Sequence, residues 1–317
     1  MDKYSNIPKV QNFDGIYLLD SLHMGNSGTV GVYLLPAKDG SNNFALIETG
    51  PGSTLNNIKD AIFEAGFKLE NLKDILVTHI HLDHAGAAGA LAAQTGAKVY
   101  VHEIGYKHLN DPSRLIASAK RIYKEKMGIL WGDMQAIPTE QLEAITDNDI
   151  LEVLGYKIKV LYTPGHARHH VSYCLDDVIF TGDSAAIKFV GSNIIRPAFP
   201  PPELDLDIWP SSLEKMLEQN PSKLFLTHFG EVKDAKGHLQ TVQTRHDKWA
   251  NTALEALKAK KDSTEIIKIM TALGEAELKQ DNAPASVFYR HSITSDYEMT
   301  VMALSRYWQK FHPEMLL

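Results

Sequence analysis

Three histidines and an aspartate fall within six positions of one stretch, His79-Ile-His81-Leu-Asp83-His84. Imidazole and carboxylate groups at this density are a metal-binding donor set. The apolar run Ile75-Leu-Val-Thr78 in front of them reads as a strand that ends where they begin. Side chains two apart on an extended backbone face the same way, so His79 and His81 are placed to share one ion. The chain then enters an Ala-rich helical segment whose start carries Asp83 and His84. Adjacent residues there point in different directions and reach toward a second, neighbouring ion. One buried histidine is ordinary core packing, but four such groups at one strand end are poorly explained that way.

Three further clusters sit after strand-like runs: Thr163-Pro-Gly-His166, Phe180-Thr-Gly-Asp183 and Leu226-Thr-His228. Each tetrapeptide alone means little. Open sheets collect ligands beyond their strand ends, however, and the recurrence of His or Asp there is the pattern a metal site requires.

The elements that must position these groups alternate along the chain. Strands are expected over 15–20, 28–36, 43–49, 75–78, 98–102, 150–153, 157–163, 171–175, 178–181 and 224–227, from β-branched and aromatic content broken by turn residues. Ser53 reads as the N-cap of a helix carrying Leu55, Ile58, Ile62 and Phe63 and stopped by Gly66. Residues 85–94 form a small-residue helix packed on a sheet. About 103–143 the alternation breaks into a helical insertion, with Ser113 as cap and Leu115, Ile116, Ala119, Ile122, Tyr123 and Met127 on one face. A helix follows at 211–218, and 242–259, 263–273 and 296–311 are helical. The expected division is a catalytic domain over 1–237 and a helical C-terminal region over 238–317.

A chain of 317 residues has ample length for a large core, and its formal charge of −7 argues against a nucleic-acid-binding surface. Cys174 is the only cysteine, which excludes an intrachain disulfide and a Cys-rich zinc module; it reads as core packing. Met1 to Asn12 lack the apolar core of a signal peptide and no apolar run is long enough to span a bilayer, so a soluble cytoplasmic protein is expected. The expected partner is a small-molecule substrate, with no nucleic acid and no membrane, and the C-terminal helices are expected either to cap the site or to make a homodimer.

In the order HxHxDH, TPGH, TGD and a strand-end TH, residues from about 15 to 230 resemble the metallo-β-lactamase superfamily, most of all its glyoxalase II-like hydrolase branch. The resemblance implies an α/β fold, a four-layer αββα sandwich with a two-metal site between the sheets, here with a helical insertion and a helical C-terminal region. It assigns His79, His81 and His166 to a first metal, Asp83, His84 and His228 to a second, and Asp183 to a bridging position. Asp83 and Asp183 are then the carboxylates at the reacting centre. It further implies two divalent metal ions, zinc first with iron or manganese as alternatives, and a hydrolase in which a hydroxide shared by the two metals cleaves a small ester, thioester, lactone or phosphoester. A mononuclear-iron oxidoreductase of the persulfide dioxygenase type is the alternative reading of the same ligands.

The chain departs from the family pattern in places. Glu48-Thr-Gly stands where the family has Asp-Thr-Gly, and Ala186 stands where quorum-signal lactonases carry a tyrosine three residues after the bridging aspartate. The glutathione-binding signature of glyoxalase II is not recognisable in 238–317. Tyr106, Arg114, Arg121, Tyr123, Trp131, Met134, Lys188 and Phe189 are candidates for substrate selection, Trp131 between Gly128 and Gly132 as a mobile element, though packing explains them equally well. His169 and His170 are expected simply to begin a strand. His23, His102, His108, His238, His246, His291 and His312 have no partner at ligand spacing and are expected to be structural or exposed. Leu76-Val-Thr-His79 echoes Leu226-Thr-His228, and Glu48-Thr-Gly50 echoes Thr181-Gly-Asp183.

Overall fold

A computed structural model of the chain describes residues 7–317. The first sheet has seven strands in sequence order: β1 (Val10–Phe13), β2 (Ile16–Asp20), β3 (Gly31–Pro36), β4 (Phe44–Ile47), β5 (Leu72–Leu76), β6 (Lys98–His102) and β7 (Leu142–Ile145). Strands β1 to β4 are antiparallel and β4 to β7 parallel. The second sheet comprises β8 (Ile150–Val153), β9 (Tyr156–Tyr162), β10 (Val171–Leu175), β11 (Val178–Gly182), β12 (Lys223–Leu226) and β13 (Gly230–Val232), in the reverse order β13 to β8. Each sheet contains a Thr-Gly strand end lying parallel to a strand that leads into Thr-His: β4 beside β5, and β11 beside β12. The sequence echo is therefore an echo of position.

The helices are α1 (Leu55–Glu64), α2 (Leu82–Ala85), α3 (Ala88–Thr95), α4 (Glu103–Asn110), α5 (Ser113–Tyr123), α6 (Met127–Trp131), α7 (Trp209–Glu218), α8 (Ala235–Lys258), α9 (Ser263–Gln280), α10 (Ala285–Thr294) and α11 (Tyr297–Phe311). Strand periodicity sorts the side chains into layers. On β3, Val32 and Leu34 face a core shared with α1 and α3, while Tyr33 and Leu35 face the second sheet. On β10, Tyr173 and Leu175 meet them, whereas Cys174 turns outward into the core made with α7 and α8. Cys174 is packing, and burial pushes its thiol up to about 12. The sheets are also joined by hydrogen bonds, Tyr33 Oη donating to Leu226 O at 2.6 Å and Tyr173 Oη to Val77 O at 2.8 Å. The result is the expected αββα sandwich with a helical C-terminal region.

Some boundaries differ from expectation for physical reasons. Ser53 lies in a short 3-10 turn and caps nothing; α1 starts at Leu55, and the Ser53 hydroxyl donates to Leu130 O at 2.7 Å instead. Ser113 is the first helical residue of α5, and Asp111 accepts its N–H at 3.1 Å. Strands β1, β7 and β13 and helix α10 were not expected. The three strands have three or four residues each, too few to show a period, and α10 opens behind Pro284 with a mixed aromatic and polar run.

The C-terminal helices share one core with the second sheet. Leu239, Val242 and Trp249 of α8, Met270 of α9 and Leu304 of α11 pack with Ile179, Leu224 and Leu226. Helix α8 begins at Ala235, just before the expected boundary at 238. Among the described residues, no helix is long and apolar enough to cross a membrane. Trp249 is fully buried, so Trp249→Ala should cost about 3–5 kcal/mol. Urea unfolding followed by circular dichroism should show one transition moved to lower urea; two separate transitions would mean that the helices melt apart from the sandwich.

Candidate metal centre

All seven candidate residues lie past the same ends of the two sheets. His79 and His81 follow β5, Asp83 and His84 lie on α2, His166 follows β9, Asp183 follows β11, and His228 follows β12. Their donor atoms form three overlapping groups, each with atoms within 4.8 Å of one another: His79, His81 and His166; His79, His84 and Asp183; Asp83, His84 and His228. Nδ1 of His81 lies 2.9 Å from Nε2 of His79 and 3.0 Å from Nε2 of His166. Asp183 stands between the two sides, with Oδ2 3.3 Å from His166 Nε2 and Oδ1 3.4 Å from both His84 Nε2 and His228 Nε2. Asp83 Oδ2 is 3.6 Å from His84 Nε2 and 3.5 Å from His228 Nε2.

The surroundings decide which nitrogen of each ring carries a hydrogen. His166 Nδ1–H donates to Ala198 O at 2.9 Å and His228 Nδ1–H to Thr29 O at 2.7 Å, because a carbonyl can only accept. His84 Nδ1–H donates to the Glu48 carboxylate at 2.9 Å. Thr78 Oγ1 donates to Glu48 Oε1 at 2.5 Å, so it accepts from His79 Nδ1–H at 3.0 Å. Four rings thus have their outer nitrogen engaged by oxygen and turn Nε2 inward. Oxygen partners on the far nitrogen are what orient and strengthen metal-ligating imidazoles. Buried His84 Nε2 and Asp183 Oδ1 have no hydrogen-bond partner among the described residues. Converging acceptors without a donor are satisfied by a cation, so the donor set fits metal ions.

The electrostatics agree. Burial, reinforced by neighbouring rings, drives His79 well below the ordinary imidazole range and takes His81 to about 3. Burial opposes a charge on His84 too, but Asp183, Asp83 and Glu48 outweigh it and raise its pKa well above the ordinary value. In His228 burial is likewise outweighed by Asp183 and Asp83. A negative field that favours a proton on these rings also favours a metal ion, which must displace that proton to bind.

Local backbone explains the motifs. Gly182 has φ +51°, and a Cβ there would stand 2.5 Å from Thr78 Oγ1 and 2.6 Å from His170 Nε2, so the Thr-Gly-Asp turn needs glycine. Glu48, also at positive φ, buries its carboxylate against Thr78, His84 and Thr227.

His169 and His170 do more than open a strand, since β10 begins only at Val171. His170 Nε2 accepts the Asp183 N–H at 3.1 Å, while Nδ1 faces the Thr163 and Ser184 hydroxyls at 3.0 Å. His169 packs edge-on against His81 with centroids 5.6 Å apart, and its Nε2 lies 3.3 Å from Glu203. His23 is buried and stacks on Trp131 with centroids 5.4 Å apart. Its position on a loop, 56 residues before His79, left no spacing signal for that contact; His170 was readable only as one more residue after the TPGH turn. The remaining histidines behave structurally: His102 caps α4, His238 donates to Ala185 O at 2.8 Å, His246 packs on Trp209, and His291 packs on Phe189.

A four-layer αββα sandwich with a His/Asp cluster at the sheet ends defines a metallo-hydrolase type of fold. Residues 31–228 match the metallo-β-lactamase superfamily, and the chain belongs to it. A metallo-β-lactamase fold-containing protein of Sulfurisphaera tokodaii is 31% identical over 197 residues, which cover 61% of this chain and 72% of that protein. A hydroxyacylglutathione hydrolase of Albidiferax ferrireducens is 30% identical over 43% of this chain and 39% of its own length. Beyond the Sulfurisphaera protein, the first curated relatives are spanned over only about half of their length or less. Among solved structures, a metallo-β-lactamase family protein of Thermus thermophilus superposes with a TM-score of 0.66 at 21% identity, over 94% of both chains.

Glu48→Gln exchanges a charged acceptor for a neutral one behind His84. Metal affinity, measured by competition with a chromogenic chelator, should fall about 10- to 100-fold while the circular dichroism spectrum stays unchanged. An unaltered affinity would remove Glu48 from the support of the site.

Proposed function

We propose that the chain is a metal-dependent hydrolase with a dinuclear centre, acting on a small ester, thioester, lactone or phosphoester. The observation that carries this reading is the inward-facing set of Nε2 atoms: four rings have their outer nitrogens tied to oxygen, and the inner ones converge with Asp83 and Asp183. His79, His81 and His166 would hold one ion, Asp83, His84 and His228 the other, and Asp183 would bridge them with one oxygen toward each side. Imidazole with carboxylate suits zinc, which makes it the first candidate, ahead of iron and manganese. Such a pair supplies Lewis acidity, activating water near neutral pH and polarising the bond to be cleaved.

The protein's own part is positioning. Glu48 and the Thr29 and Ala198 carbonyls fix ring tautomers, and His170 fixes the backbone N–H of Asp183. Most of the donor set is buried; His81 and Asp83 alone are partly exposed, which supports approach of a small molecule from their side. A net charge of −7 supports a substrate other than nucleic acid. Similarity to hydroxyacylglutathione hydrolases favours thioesters as the first class to test. The unpartnered His84 Nε2 beside Asp83 and His228 supports a second ion there, in addition to one held by His79, His81 and His166.

Metal analysis of natively expressed protein, with a screen of thioester, lactone and phosphodiester substrates, tests the proposal. Two ions per chain and turnover in one class are expected; one iron per chain with oxygen consumption would transfer the assignment to the oxidoreductase. Asp183→Ala should lose bound metal and nearly all turnover, whereas full metal content with unchanged activity would contradict the bridging role. Acid should release bound metal, because protons compete for the imidazole nitrogens that would hold it. Metal retained after dialysis at stepwise lower pH should fall away; full retention well below the ordinary imidazole range would contradict histidine ligation.

A further inference from the structure

Of the five imidazoles in the donor set, His81 is held differently from the rest. Its Nδ1, not its Nε2, faces His79 Nε2 and His166 Nε2, at 2.9 and 3.0 Å. Nε2 is then its outer nitrogen, and among the described residues no oxygen engages it. An oxygen ties the outer nitrogen of each of the other four rings. A metal-ligating imidazole without such a tie must take its orientation from what packs against it.

His169 does this packing, three residues past His166 on the turn leaving β9. It is buried, stands edge-on to His81 with planes 89° apart, and lies nearly parallel to His79 with centroids 6.1 Å apart. It also holds the backbone between these two ligands, because the Ile80 N–H donates to His169 Nδ1 at 3.5 Å. Helix α4 closes on the same residue: a Cβ on Gly105 would stand 2.7 Å from Ile80 Cγ2. A ring nitrogen that accepts an N–H carries no hydrogen itself, so neutral His169 bears its hydrogen on Nε2. Nε2 faces Glu203 Oε2 at 3.3 Å, and that oxygen has no hydrogen-bond partner elsewhere among the described residues. Glu203 ends the Pro-rich segment whose Ala198 carbonyl accepts from His166. One segment thus reaches two rings of the set, His166 directly and His81 through His169.

We propose that His169 and Glu203 are a positioning pair for the ion assigned to His79, His81 and His166: Glu203 fixes the tautomer of His169, and His169 sets the ring of His81 and the turn that carries it. The proposal rests on the metal-site part of the functional reading and not on what is hydrolysed. Neither residue supplies a ligand, and the influence of Glu203 passes through His169. Without Glu203, the His169 hydrogen is free to move to Nδ1, where it would oppose the Ile80 N–H. Without His169, that buried N–H loses its acceptor and His81 loses the ring against which it is set. The Glu203 side chain is 38% exposed, so its removal opens no cavity in the core.

The test is zinc affinity of the full chain, measured by competition with a chromogenic chelator. Glu203→Ala and His169→Ala should each weaken one binding step about tenfold. Glu203→Gln, which keeps an acceptor beside His169, should recover part of the loss. The double variant should bind no more weakly than His169→Ala alone, because Glu203 then has nothing to act through. Visible absorption bands of the cobalt-loaded protein, which report the geometry of the ligands, should shift in both single variants. The melting midpoint of metal-free Glu203→Ala should match the wild-type protein. Wild-type affinity in Glu203→Ala, additive losses in the double variant, or a wild-type protein that binds no zinc would each overturn the proposal. Zinc binding requires no turnover, so the two readings fail separately. A chain that binds zinc through the pair but hydrolyses nothing keeps the pair and loses the reaction, and a hydrolase whose zinc affinity ignores both substitutions does the reverse.

Discussion

One buried carboxylate organises the centre. Glu48, 1% exposed at the end of β4, accepts from the Thr78 backbone and hydroxyl, from the His84 ring and from the Thr227 hydroxyl. Thr78 precedes His79 and Thr227 precedes His228, so a single charge fixes the exits of β5 in one sheet and β12 in the other. A buried ion of this kind is costly unless every lone pair is engaged, and here the engagement is what aligns the two sheet ends. Relayed through Thr78, it also sets the tautomer of His79. Glu48 holds this position on left-handed backbone, φ 70°.

Much of the sandwich and the site was legible because each ligand is tied to a strand end by immediate chain neighbours. HxHxDH, TPGH, TGD and TH carry their own geometry: glycine where Thr78 and His170 crowd the turn, threonine where a hydroxyl must reach a carboxylate. What could not be read is what depends on contacts between distant segments. Nothing around His23 in the sequence announces Trp131, more than a hundred positions away. His169 and His170 look like the approach to a strand until β11 folds Asp183 against them. The missed strands β1, β7 and β13 owe their existence to pairing with β2, β6 and β12 rather than to any pattern of their own.

The C-terminal helices illustrate the same limit at larger scale. Their composition gives helix but not destination. In the fold they form the outer layer of the second sheet, and fully buried Arg196, from the segment after β11, joins them. Its guanidinium lies 4.5 Å from the Trp249 ring and donates to Gly274 O and Tyr297 Oη, each at 3.0 Å. Aromatic rings and two oxygen acceptors hold this cation without a carboxylate, although its Nε has no hydrogen-bond partner among the described residues. The segment that follows Asp183 is thereby fastened to the helices.

This division of labour bears on selectivity. The ligand set is held by strand ends, a glutamate and backbone carbonyls, none of which senses the shape of a bound molecule. Around that set lie segments that connect or follow the strands: the loop carrying His23, the insertion carrying Tyr123 and Trp131, and α10, whose Arg290 donates to Ser27 O at 2.7 Å and so ties the C-terminal layer to that same loop. Loops held on a rigid scaffold can change while the metal geometry stays fixed. The insertion is anchored on the turn between β4 and α1, where Gly52 lies so close to Asp133 O that no Cβ would fit. That anchor joins the insertion to the strand end bearing Glu48, so the insertion and the His/Asp cluster meet across a single turn.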